Sequence, residues 1–260
     1  MSNNKEEFIL GENKFKLPIG YKDDEGVVHK IVQLKPIDGF TEEAMDEPKV
    51  KDNGAKVITE LLNGIMIKLG SIKLSKNNKE ITRELSVMDR DFLLMANAIV
   101  SFDKDEELVK FTVKCPSCGN KQELSADLNK VNVKGIEDNA PREFTFKLKD
   151  GVYDSDNKCH KSITITIPTG RVQERVYPIA TRNRGEATTS TLQMITKKLG
   201  ELPILSQDTF KGMTTRDRRY ANSYLVQEKK LGADFSVSTK CEKCREDFDT
   251  DIPIQALMGE

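Results

Sequence analysis

Two short stretches, KCPSCGN (114–120) and KCEKCRE (240–246), decide how this chain is organised. Each is a Cys-x-x-Cys knuckle between polar, strand-like flanks, and each turns two sulfurs toward one point. A structural zinc takes four such ligands in a tetrahedron. One pair is half a site, and the pairs stand too far apart for one ordinary zinc ribbon. Cys115, Cys118, Cys241 and Cys244 are therefore expected to hold one shared zinc per chain. Four thiolates leave no position for water, so the metal's role would be structural. Redox dithiols, an iron–sulfur cluster, and sites shared between two chains are the competing uses of such pairs.

The surroundings of the knuckles match. ELVKFTVK precedes the first and GADFSVSTK the second, and each knuckle is followed by a polar strand and an apolar tail. Upstream, Phe15-Lys16-Leu17 recurs as Phe146-Lys147-Leu148, and His29-Lys30 as His160-Lys161. Lys68-Leu69-Gly70 recurs as Lys198-Leu199-Gly200, and Met88, Ala96 and Asn97 match Met213, Ala221 and Asn222. The shared order predicts an α+β fold of two pseudo-symmetric repeats, related by a pseudo-twofold axis at the metal. The expected divisions are a tail (1–13), repeat one (14–134), a linker (135–143) and repeat two (144–260).

Within each repeat the expected order is hairpin, helices, zinc hairpin. Strands are expected at 13–18 and 27–34 around the turn DDEG. A short helix capped by Thr41 should follow. The stripe Val57, Ile58, Leu61, Leu62, Ile65, Met66 and Leu69 predicts a helix over 54–69, and a second runs from Asp89 to about Ser101. In repeat two, strands are expected at 144–148 and 163–167, and helices at about 187–200 and 214–229.

The chain has 260 residues, with 37% hydrophobic and 32% charged, enough for a soluble globular protein with a modest core. Forty-one basic against 42 acidic residues give a net charge of −1, which weighs against a general nucleic-acid or acidic-membrane binder. No apolar run reaches membrane-span length, and the start MSNNKEEF has no signal core. Paired cysteines without these signals suit a metal in a reducing cytoplasm. No P-loop, HExxH, GxSxG or dinucleotide fingerprint is present, so neither an enzyme nor a small-molecule substrate is expected. Cys159 and His160 are adjacent on an expected strand and point to opposite faces. They are read as structural, with His29 and His160 at equivalent hairpin positions.

Arginine is uneven: residues 1–140 contain only Arg83 and Arg90, and the other nine lie beyond. Arg216, Arg218 and Arg219 with Tyr220 and Tyr224 form a mixture typical of interface hot spots, and are the candidate partner-binding residues. Phe92, Leu93, Leu94 and Met95, on the matching helix of repeat one, read as core or as an apolar docking face.

The order Leu17-Pro18, Thr41-Glu42-Glu43, Asp89-Arg90 with Leu93-Leu94, and Cys115-Pro116-Ser117-Cys118 resembles that of the T-even-type bacteriophage baseplate proteins, the hub or hub-assembly components. The likeness covers repeat one; repeat two lacks the proline after Leu148 and the Glu-Glu pair. It implies a non-enzymatic role in building the centre of a contractile tail, with other baseplate and tail proteins as partners. The expected location is the host cytoplasm during assembly, then the virion tail baseplate. The alternative is a phage zinc-ribbon module that binds nucleic acid or accompanies transcription.

Overall fold

The structure is a computed structural model, and it describes residues 5–74, 79–101 and 108–258. Helix and sheet are mixed throughout, as an α+β chain requires. The first half opens with helix α1 (Lys5–Phe8), strand β1 (Ile9–Gly11) and a hairpin of β2 (Lys14–Lys22) and β3 (Val28–Leu34). Helices α2 (Gly39–Met45) and α3 (Gly54–Ile65) follow, then strands β4 (Met66–Leu69) and β5 (Ile72–Lys73). Helices α4 (Lys79–Glu84) and α5 (Val87–Ser101) lead to a second hairpin, β6 (Leu108–Lys114) and β7 (Lys121–Asp127). A 3-10 turn at Leu128–Lys130 and strand β8 (Asn132–Lys134) close this half.

The second half likewise runs from a hairpin through helices to a knuckle hairpin. Strands β9 (Glu143–Tyr153) and β10 (Cys159–Thr166) form its opening hairpin, followed by helices α6 (Gly170–Ala180) and α7 (Arg184–Ile195) and strand β11 (Thr196–Leu199). Helices α8 (Gln207–Lys211) and α9 (Thr215–Gln227) precede strand β12 (Gly232–Asp234). The second knuckle hairpin is β13 (Ser236–Lys240) and β14 (Asp247–Asp251), and helix α10 (Ile254–Met258) ends the described chain. The first half carries a five-stranded antiparallel sheet, β1-β2-β3-β4-β5, and the second a three-stranded one, β11-β10-β9.

Each sheet buries one face under its own helices. Phe15, Leu17, Val32 and Leu34 meet Leu61, Leu62, Ile65 and Phe92 in the first core. Phe146, Leu148, Ile163 and Ile165 meet Leu192, Ile195, Ala221 and Leu225 in the second. The division is not strict, because Ile252 and Leu257 from the C-terminal end pack into the first core and Ile19 and Met88 into the second.

Matching polar contacts recur in both halves. His29 and His160 are buried, and each bonds through Nε2 to the aspartate that begins its hairpin turn, Asp23 or Asp154, at 2.8 Å. Gly70 and Gly200 both adopt positive φ, at 58° and 54°, and a Cβ at either would come within 2.4 Å of the histidine Nδ1. The buried carboxylate of Asp89 accepts from the amides of Ile19 and Gly20, and that of Asp217 from Lys149, Asp150 and Gly151. Arg90 Nη2 donates to Ala55 O and Thr59 Oγ1, and Arg218 Nη2 to Gly185 O and Thr189 Oγ1. Asn53 and Asn183 cap α3 and α7.

Several sequence expectations are corrected. The helices expected at 54–69 and 187–200 stop at Ile65 and Ile195, where Met66 and Thr196 turn extended and begin β4 and β11. Met66 and Leu69 are buried either way, so the apolar stripe does not distinguish a helix end from a strand. The cap of α2 is Asp38, whose carboxylate accepts from the Thr41 amide and hydroxyl; Thr41 lies inside the helix. Helix α6, which the sequence did not predict, occupies 170–180. The pairing of Met88, Ala96 and Asn97 with Met213, Ala221 and Asn222 is out of register. The matching contacts set Asp89 against Asp217 and Arg90 against Arg218. The expected linker is tied down: Arg142 donates to the Ile19 and Gly20 carbonyls, and Lys30 pairs with Asp138 at 3.0 Å.

Asp91 on α5 yields a pH prediction. Burial pushes its carboxyl up to about 6, against the opposing pull of Arg90. The fold therefore disfavours the ionised form. Stability should fall as pH rises from the unfolded value near 4 to the folded value near 6, and stay level above that. Asp91→Asn is expected to remove this fall and to raise stability at pH 7 by on the order of 2 kcal/mol. Urea titrations of both proteins between pH 4 and 8 would check this.

Candidate metal centre

The knuckles are built alike. In the first, the Cys115 amide donates to Asn120 O (2.9 Å) and the Gly119 amide to Cys115 O (2.9 Å). In the second, the Cys241 amide donates to Glu246 O (2.9 Å) and the Arg245 amide to Cys241 O (3.0 Å). The tight turn needs a left-handed residue after the second cysteine. Gly119 supplies it at φ 72° without strain, but Arg245 sits at φ 65° with a Cβ. Arg245→Gly is therefore expected to stabilise the second hairpin by about 0.5–1 kcal/mol. A raised melting temperature without loss of metal would show it.

The two hairpins bring the four cysteines together. Cys115 Sγ lies 3.7 Å from Cys244 Sγ, and Cys118 Sγ 3.6 Å from Cys241 Sγ. All four sulfurs lie within 4.8 Å of one another. A tetrahedron with metal–sulfur bonds of about 2.3 Å has sulfur–sulfur edges near 3.8 Å, so the spacing fits a single four-coordinate ion. Cys115 and Cys241 are buried, and Cys118 and Cys244 lie toward solvent. The first hairpin anchors the second through Gln122. Its buried amide donates to Lys240 O (3.1 Å) and accepts from the Glu242 amide (3.0 Å), bridging the chain on both sides of Cys241.

The donor set also has the electrostatics of a cation site. The Cys244 and Lys243 amides hold the Cys241 thiol down to about 6 against its burial, which favours a thiolate. At Cys244 the Glu246 amide works the same way, yet the crowded sulfurs of Cys118, Cys241 and Cys115 push the thiol up to about 12. Four sulfurs at this spacing cannot all ionise without a positive charge among them, and a divalent ion supplies it. These residues can thus hold a metal ion in a closed site.

Cys159 lies outside the cluster, with its thiol bonded to Asp150 O at 3.3 Å. The expected Arg/Tyr docking face is largely engaged within the second half. Arg216 pairs with Asp150, and Arg218 reaches Gly185 O and Thr189 Oγ1. Tyr224 is buried and stacked on Phe146 at 3.8 Å, and Tyr220 meets the same ring edge-on at 5.4 Å. Of the five, Arg216 and Arg219 are exposed. Phe92, Leu93, Leu94 and Met95 are all core residues, which excludes the apolar docking face. Gln122 is not singled out by any motif; the one hint is a polar side chain at an inward position of an alternating strand.

No family model, curated protein or solved structure matches the chain. Among the described residues, no helix is long and apolar enough to cross a membrane.

Proposed function

We propose that the chain is a duplicated structural unit whose halves are clamped by one structural zinc, and that it serves as a component or assembly factor of a contractile-tail phage baseplate. The observation that carries the clamp is the convergence of four thiols from two hairpins distant in sequence. Four sulfurs fill a tetrahedral ion, which leaves no open position for a substrate or an activated water. The duplication is supported by the paired contacts of Asp89 with Asp217, Arg90 with Arg218, and His29 with His160. The baseplate assignment rests on the order of the Leu-Pro, Thr-Glu-Glu, Asp-Arg and Cys-Pro-x-Cys motifs in the first half.

Mass spectrometry of purified phage tails and tail-assembly intermediates tests it. The chain should be present in one or both, and should bind duplex and single-stranded DNA no better than a neutral control protein. Absence from both, together with salt-sensitive DNA binding, would favour the nucleic-acid module instead.

A further inference from the structure

The two halves differ at one groove. In the first half it is formed by the start of α3 with α4 and α5, and α6 fills it. Gln173 Oε1 accepts from Arg90 Nε at 2.8 Å. The Glu174 carboxylate accepts from Thr59 Oγ1 (2.6 Å) and Arg83 Nε (3.1 Å), and its carbonyl accepts from Asn53 Nδ2 (2.9 Å). The Tyr177 ring lies against Gly54, where a Cβ would come within 2.9 Å of it.

The second half builds the same groove from α7, α8 and α9. Asn183, Thr189, Lys211 and Arg218 stand where Asn53, Thr59, Arg83 and Arg90 stand in the first. Even the i,i+3 ion pair recurs, Arg83–Glu80 as Lys211–Asp208. Among the described residues, however, no helix fills it. Asn53 and Ala55 are buried, whereas Asn183 and Gly185 are exposed. Arg218 Nε is buried without a hydrogen-bond partner, and the same atom of Arg90 is the one that meets Gln173. An unpaired guanidinium nitrogen is costly, and the half-buried Arg218 lacks the side-chain acceptor that Gln173 gives Arg90.

The occupant can be identified by chemistry. Helix α2 holds the place in the first half that α6 holds in the second, between the opening hairpin and the capped helix. Glu42-Glu43 then stands for Gln173-Glu174, and Asp46 for Tyr177. All three acidic residues are exposed, Glu42 and Glu43 on α2 and Asp46 at its C-cap. Facing them, the second groove offers Arg218 and Lys211, with Arg184 in place of Gly54. The chain's own α2 is committed to α3 in the first half. We infer that α2 of a second copy of this chain docks in the second groove: Glu42 meets the accessible part of the Arg218 guanidinium, Glu43 meets Lys211 and Thr189, and Asp46 meets Arg184. The contact is head-to-tail, so copies join into a closed ring or an open string. It rests on the equivalence of the halves proposed above.

Sedimentation velocity of the full chain across the micromolar range tests it. Species heavier than the 29.3 kDa monomer should grow with concentration and weaken at high salt. Glu42→Lys/Glu43→Lys and Arg184→Glu/Lys211→Glu change only exposed side chains, and each should weaken association by about tenfold or more. Each variant keeps one intact surface, so an equimolar mixture should form dimers and nothing larger. A monomer at all concentrations, association that ignores both variants, or a mixture that stays monomeric would overturn the inference. In the last two cases the paired contacts of the halves would still stand.

Discussion

Replacing Cys241 with serine, or removing metal with a strong chelator, is expected to release the second knuckle hairpin and lower stability by on the order of 5 kcal/mol. The size follows from how little else holds it. Strands β13 and β14 have no fully buried side chain; Val237 and Phe248 are half-buried against the first core. The first hairpin buries Phe111, Val113 and Gln122 and depends less on the ion. Metal bound at a shared site links residues far apart in sequence, and the entropy of closing so long a loop grows only logarithmically with its length. Hydrogen exchange should therefore rise first over 236–251, while the two helical cores keep their protection. Uniform loss of protection across both cores would show that the metal is not a local clamp.

The second large effect is at Arg90. The side chain is fully buried, and its guanidinium donates to Thr82 O, Ala55 O, Thr59 Oγ1 and Gln173 Oε1. Burial lowers it to about 10, so it stays charged at neutral pH, with Glu174 close enough to favour the charge. Arg90→Ala would leave two carbonyls and the α6 contact without a donor, and should cost about 3–5 kcal/mol. The equivalent Arg218→Ala, measured at concentrations where the chain is monomeric, should cost about 1–2 kcal/mol, because Arg218 is only half-buried and donates to two acceptors rather than four. Denaturant titration of the two variants separates them. Equal losses would mean that filling of the first groove by α6 contributes nothing.

The parts legible in the sequence are those whose signal is local. A Cys-x-x-Cys knuckle carries its geometry in four residues, and the two hairpins at 14–34 and 143–166 announce themselves by alternation and turn residues. The Asp-Arg pairs were readable too, since Ser86 and Asp89, like Thr214 and Asp217, are the first and fourth positions of a capped helix start. Matching methionines and asparagines instead misaligned α5 with α9. What could not be read was tertiary. Gln173 and Glu174 look like a solvated helix face until Arg90, Arg83 and Thr59 are brought against them. The packing of α6 could not be read for the same reason. The sulfur pairs of the metal centre are arranged reciprocally, whereas α6 packs on α3, α4 and α5 of the first half.

Native mass spectrometry with elemental analysis of the intact chain tests the shared clamp most directly. One zinc per chain is predicted, lost when either Cys115 or Cys241 becomes serine and retained when Cys159 does. Two zincs per chain, iron in place of zinc, or a zinc that survives the loss of either knuckle would contradict it.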